Sequence, residues 1–145
     1  MNFQELLNKV NSRIQELYSN AGTDTDSGGA EINDHLLMLS VKFPLDWDQW
    51  IKEQDHLAKI QELHKKVQDK LIVNKMSYTI VPELNCLFIK DKAGHIVKEM
   101  HLSKIDGLLQ KHLGLDSTHE HFYLIKSLMV KNHRMEILAL AEGLV

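Results

Sequence analysis

Met76-Ser77-Tyr78-Thr79-Ile80-Val81, Cys86-Leu87-Phe88-Ile89-Lys90 and His95-Ile96-Val97-Lys98-Glu99-Met100 are three short runs rich in β-branched and aromatic residues. At Met76 the apolar period changes from helical to alternating. A period of two sends successive side chains to opposite faces of a pleated strand, so the stretch from about 76 to 100 predicts a three-stranded antiparallel meander. The connections carry matching punctuation: Pro82 to Asn85 in the first, and Asp91-Lys92-Ala93-Gly94 in the second, where Gly94 can take a positive φ.

Upstream of the meander, Trp47, Trp50, Leu57, Ile60, Val67 and Leu71 form a stripe that also holds His64, and Asp46 with Gln49 three residues on provides a cap. This predicts one long central helix from Trp47 to about Leu71. Between His35 and Phe43, Leu37, Leu39, Val41 and Phe43 alternate with Leu36, Met38, Ser40 and Lys42. We read a fourth strand there, ended by Pro44, with a short helix as the alternative. The polar run from Asn20 to Gly29, with three glycines, reads as an exposed loop. Before it, Phe3, Leu6, Leu7, Val10, Ile14 and Leu17 recur at helical spacing behind an Asn2/Glu5 cap, which predicts a first helix over about 3–19.

Downstream, Ser103 and Asp106 resemble a capping pair ahead of Ile105, Leu108, Leu109 and Leu113, with Gly114 as a stop. Ser117 and Glu120 open another helical pattern through Phe122, Ile125, Leu128 and Met129. Good helix formers run from Arg134 to Ala141, and Lys131-Asn132-His133 leaves one helix or two open. The expected fold is α+β: an antiparallel sheet of three or four strands packed against the long central helix and the terminal helices. We expect a single domain over 1–145, because a chain of this length can bury about two-thirds of its unfolded surface in one core.

Hydrophobic residues make up 43% of the 145 and charged residues 26%, which is the balance of a folded soluble domain. The formal net charge of −3 lacks the basic excess that neutralises phosphates, so no nucleic-acid partner is expected. One cysteine, Cys86, excludes a disulfide framework and a multi-thiolate zinc site, and fits a cytoplasmic setting. The amino terminus shows no secretory pattern, and no apolar run approaches the ~20 residues of a membrane span.

Nine histidines raise the question of metal. Glu53 and His56 make one Glu-x-x-His step, but di-iron bundles need two such steps and further glutamates, and the other candidate, His133-x-x-Glu136, is reversed. His119 and His121 flank Glu120 in what reads as a first helical turn, where residues two apart point to different sides. Cys86 sits in an apolar strand without a basic neighbour in sequence and reads as a core residue. His64 reads as a core-edge histidine held by one backbone or carboxylate partner, and Asp46 and Asp48 as helix-start acids favouring the dipole. No catalytic, cofactor-binding or metal-ligating set is therefore expected. The aromatic residues Trp47, Trp50, Phe122 and Tyr123 are the candidate partner-binding anchors, since interfaces concentrate their free energy in a few large side chains.

Residues from about Glu62 to Leu113 comprise a basic amphipathic helix, Ser77-Tyr78-Thr79-Ile80, Glu83-Leu84-Asn85-Cys86-Leu87-Phe88-Ile89-Lys90-Asp91 and Gly94-His95-Ile96-Val97-Lys98-Glu99-Met100. This part, about a third of the chain, is similar to the core of flagellar FlaG-type proteins. It departs from that pattern where Ala93 rather than a Thr precedes Gly94, and where the strand ends in Met100-His101 rather than Ile-Pro. The resemblance implies a flagellum-associated structural protein. The residues themselves point first to a non-enzymatic protein-binding module of bacterial or phage type, such as an adaptor, secretion chaperone, immunity protein or inhibitor. A small metal-dependent enzyme is the third reading, resting on the histidine count. The expected partner is another protein, with no cofactor and no membrane, and homo-oligomerisation is left open.

Overall fold

The meander forms where the alternation places it. In the computed structural model, which describes residues 1–20, 25–102, 105–132 and 134–144, β1 (Ser77–Val81), β2 (Cys86–Lys90) and β3 (Ile96–His101) make one antiparallel sheet in the order β1-β2-β3. Cys86 lies opposite Val81 on one side and His101 on the other, and Leu87 lies opposite Ile80 and Met100. The register shifts between Ile89, paired with Lys98, and Lys90, paired with Ile96, leaving Val97 as an extra residue in β3. Such a bulge bends its strand and raises its twist.

Seven α-helices accompany the sheet among the described residues: α1 (Phe3–Asn20), α2 (Thr25–Lys42), α3 (Pro44–Lys52), α4 (Asp55–Val73), α5 (Ile105–Leu113), α6 (Phe122–Lys131) and α7 (Met135–Leu144). The architecture is therefore α+β with three strands. No helix is long and apolar enough to cross a membrane among the described residues. The chain clusters into two compact units, one of Met1–Leu57 with Ser117–Asn132, the other of Ala58–Asp116 with His133–Val145.

In the second unit, the pleat sends Leu87 and Ile89 to one face of the sheet with Lys98 and Met100 of β3. α7 packs on this face. Its approach is close: a Cβ placed on Gly143 would stand 2.9 Å from Ile89 Cδ1 and 3.6 Å from both Lys98 Cδ and Met100 Sδ. Leu87 and Ile89 are fully buried, and each such side chain stabilises the fold by about 1.5–3 kcal/mol. α5 packs on α7, so Ile137, Leu138, Ala139, Leu140 and Ala141 are all buried, which explains an α7 that is apolar nearly all round. Lys111 Nζ (2.7 Å) and His112 Nε2 (2.9 Å) of α5 reach the Glu142 carboxylate. Lys111 first, then His112, holds that carboxyl below its ordinary range.

In the first unit, α1 packs on α2 and α6, and α2 packs on α3 and α6. Leu7, Ile14, Leu36, Leu39, Leu124 and Ile125 are fully buried among these helices. Asn2 caps α1 as its sequence predicts, its Oδ1 accepting from the Glu5 backbone N–H at 2.9 Å.

Three expectations need correction. The fourth strand expected at His35–Phe43 is instead the carboxyl-terminal half of α2, which ends at Lys42, followed by Phe43 as the N-cap of α3. Its apolar run satisfies a period of 3–4 as well as of 2, and Ile32, Leu36 and Leu39 form the buried stripe. Thr25 to Gly29, expected in the loop, begin that helix, while residues 21–24 of the loop lie outside the described residues. The long central helix from Trp47 to Leu71 is two helices, α3 and α4. α3 starts earlier because Pro44, rather than ending a strand, occupies a first helical turn, where its missing N–H costs nothing. It ends where Glu53 N–H bonds back to Gln49 O and Trp50 O and the Gln54 side chain caps Trp50 O at 2.9 Å. The carboxyl-terminal question resolves as two helices, α6 and α7. The Ser103 cap and the His133 junction lie outside the described residues.

The β2–β3 turn is organised by Asp91, whose Oδ1 accepts from the backbone N–H groups of Ala93 and His95, both at 2.9 Å. Gly94 follows with φ +86° and donates to Asp91 O at 3.0 Å. A β-branched side chain resists that conformation. Gly94→Val should therefore lower stability by about 1 kcal/mol or more, read as a lower midpoint in urea unfolding at unchanged m-value.

Candidate functional site

The four aromatic candidates all fall in the first unit. Trp47 and Trp50, one turn apart on α3, stack with ring centroids 5.5 Å apart and are each 7% exposed. Phe122, at the start of α6, is 3% exposed. Tyr123 is half-buried, its ring 5.5 Å from Tyr18, whose hydroxyl lies 3.2 Å from Ser127 Oγ.

Around these rings stands a group of histidines. The edge of His121 meets Trp50 at 5.6 Å, His119 lies 6.2 Å from His121, and His56 meets His119 at 4.9 Å. The expected first helical turn at His119 and His121 is absent: α6 starts at Phe122, and His119 Nδ1 instead accepts the His121 backbone N–H at 3.1 Å. Local side-chain acceptance of this kind competes with helix. Burial, foremost, holds His121 below its ordinary pKa; Glu120 opposes this and His119 adds to it. Among the described residues, Glu53 and His56 belong to no group of three side chains that could hold a metal. Glu53 takes a hydrogen bond from Gln49 Nε2 at 3.0 Å, whereas His56 faces His119. For His64, expected to meet a backbone group or a carboxylate, the partner is instead Arg134: the His64 Nδ1 lies 3.0 Å from a guanidinium nitrogen and accepts, because guanidinium only donates.

A different cluster was not anticipated. In the second unit, cross-strand pairing sets His101 beside Cys86, and the period of two adds Glu99 on the same face. Cys86 Sγ lies 3.3 Å from His101 Nδ1 and 3.6 Å from Glu99 Oε1, and His101 Nε2 lies 3.7 Å from that oxygen. The thiol also contacts Leu84 O at 3.1 Å. Cys86 is buried as expected of a core residue, and burial, then Glu99, pushes its thiol up. Among the described residues, this is the group of three histidine, cysteine or carboxylate side chains whose donor atoms come within 4.8 Å of one another. One signal was available: Glu99-x-His101 on a strand. The expected strand stopped at Met100 and so left His101 out.

The first unit also holds an open groove of about 570 Å³ along α1 and α2. Leu6, Val10 and Met38 supply apolar walls, with Lys9, Arg13 and Lys42 beside them. Arg13 is held by Glu31 (2.7 Å) and Glu16 (2.9 Å). Next to the Met38/Lys42 ridge, α2 presents Leu37 (54% exposed) and Val41 (68%), and the first turn of α3 presents Leu45 (84%).

Two outcomes follow from the Trp–His packing. Acrylamide should quench the tryptophan fluorescence weakly, and Trp50→Ala should cost about 3–5 kcal/mol of stability, measured by chemical denaturation. The His121 imidazole stays neutral in the folded chain at a pH where the unfolded chain, titrating near about 6.5, already binds a proton. Its contribution is complete above that pH and is lost as the pH falls through 6.5 towards the lower folded value. Urea midpoints should therefore drop between about pH 7.5 and 5.5, and by less in His121→Phe, which keeps a ring against Trp50.

Compared with known proteins, the chain matches no family model, no curated protein and no solved structure.

Proposed function

We propose that the chain is a non-enzymatic protein-binding module of the adaptor, chaperone, immunity or inhibitor kind, and that the groove along α1 and α2 receives an amphipathic helix of another protein. The observation that carries this is the groove's composition: Leu6, Val10 and Met38 supply apolar lining, and the cations Lys9, Arg13 and Lys42 that share the lining exceed the carboxylate Glu16. Clefts of several hundred Å³, mostly apolar with a few charged groups at the edge, are where proteins take ligands. An amphipathic helix fits this mode, laying its apolar face in the groove. An acidic flank on that helix would meet Lys9 and Lys42. The exposed Leu37, Val41 and Leu45 support the same reading, because α2 is apolar on a side its own core does not use. In this reading Trp47, Trp50 and Phe122 brace the surface from within, and Tyr123 is the aromatic candidate that keeps part of its own surface available.

The test is charge reversal at both lysines, Lys9→Glu with Lys42→Glu. Both are exposed, so the unfolding free energy should change by no more than about 0.5 kcal/mol. Affinity capture from native lysate with the parent chain should recover a partner that the double variant loses and that high salt weakens. A partner held equally by both chains would place the binding surface elsewhere.

A further inference from the structure

We propose that Cys86, Glu99 and His101 bind a thiophilic divalent cation, zinc foremost, on the face of the sheet opposite the one that α7 covers. This goes beyond the protein-binding reading and uses residues of the second unit alone.

The first support is geometric. For a tetrahedral zinc with Zn–S near 2.3 Å and Zn–N or Zn–O near 2.0–2.1 Å, donor atoms must lie roughly 3.3–3.6 Å apart. The observed separations are 3.3 Å for Sγ to the His101 ring and 3.6 Å for Sγ to the Glu99 oxygen. The carboxylate lies 3.7 Å from the other ring nitrogen. One ion takes only one nitrogen of the ring; with one donor atom from each residue the three lie within 4.8 Å of one another, so the Glu99 and His101 side chains must rotate about the fixed sulfur to close on it. The backbone beneath them is fixed by the ladder: Cys86 pairs directly with His101, and Glu99 pairs with Phe88 one step along the same face. A site built on paired strands holds its ligands more rigidly than one built on loops.

The second support is chemical. One thiolate, one imidazole and one carboxylate make a mixed soft and borderline set that suits zinc or its neighbours. Calcium and magnesium take oxygen ligands and have no use for the sulfur. Binding would send the thiol proton to solvent as the metal–sulfur bond forms.

The third support is the gradient of exposure. Cys86 is 2% exposed, whereas the side chains of Glu99 and His101 are 50% and 59% exposed. The sulfur thus forms the floor and the other two donors form a rim open to water. Three protein ligands and a solvent-facing side leave the fourth position to water or an exchangeable ligand, unlike a closed four-ligand structural site. The same contacts also suit a cysteine–histidine–glutamate nucleophile, but a sulfur on the floor offers little access to a carbonyl carbon, while a cation enters through the rim.

The experiment is a cobalt(II) titration of the full chain prepared without a histidine tag. We expect one equivalent to bind with a near-ultraviolet thiolate-to-cobalt band and intense visible absorption of tetrahedral type, both removed by zinc. Cys86 is the sole cysteine, so a sulfur band can come from no other residue, whatever the other histidines do. Changes to outer-shell partners alone cost roughly 10–100-fold in metal affinity, so His101→Ala and Glu99→Gln should each weaken binding by about tenfold or more. Both positions are exposed, so circular dichroism should be unchanged. His95→Ala, in the β2–β3 turn, should bind as the parent does. Absence of binding, binding without the sulfur band, or a band whose affinity ignores both substitutions would each overturn the proposal. So would rapid alkylation of Cys86 at neutral pH that saturating zinc does not slow.

Discussion

β2 is the strand with a partner on both sides, and both of its faces are used. Leu87 and Ile89 point to the face on which α7 lies, with no exposed surface left, and Cys86 points to the other and is also buried. The contact that sets the spacing is that of Gly143 against Ile89, where no side chain intervenes between helix and strand. Once α7 rests there, its outer side must be covered as well, which α5 does, and the Lys111–Glu142–His112 cluster holds those two helices together at the rim. Exposed ion pairs of this kind contribute little by themselves. The weight falls on apolar burial around β2, and the polar cluster selects which turn of α5 meets which turn of α7.

The elements that were legible in the amino-acid sequence are those with one period and clear stops. The meander alternates and is punctuated by Pro82 and Gly94; α1 has a clean stripe and a real Asn2 cap. The misread elements had two compatible periods or no stop. From Leu36 to Phe43 nearly every position is apolar or small, so alternation and helical spacing fit alike, and what decides is the stretch from Thr25 that extends the helix amino-terminally. Between Trp50 and Leu57 neither glycine nor proline marks the α3–α4 break. The break comes from Gln54 capping a carbonyl, an act for which glutamine's helix preference gives no warning.

The candidate sites divide along the same line. Burial of Cys86 could be read from its apolar strand, but its neighbours could not, because they depend on which residue of β3 stands opposite it. Register is a non-local property: shifting the pairing by one residue would turn Glu99 and His101 to the α7 face. The groove along α1 and α2 was hidden for a related reason. Its two walls come from segments of which one was read as a strand, so the side chains of Val10 and Met38 had no reason to be considered together.

The bulge at Val97 bears on how this protein behaves in a crowd. A three-stranded sheet presents backbone donors and acceptors along its outer strands, and a straight outer strand invites a neighbouring molecule to continue the ladder. With an extra residue in β3, the hydrogen-bonding groups on either side of Val97 fall out of phase for any regular strand laid alongside, and Lys98 and Glu99 follow immediately. β3 thus carries its own obstacle to edge-to-edge growth of the sheet into fibrils, placed where the exposed Ile96 and Val97 would otherwise favour it.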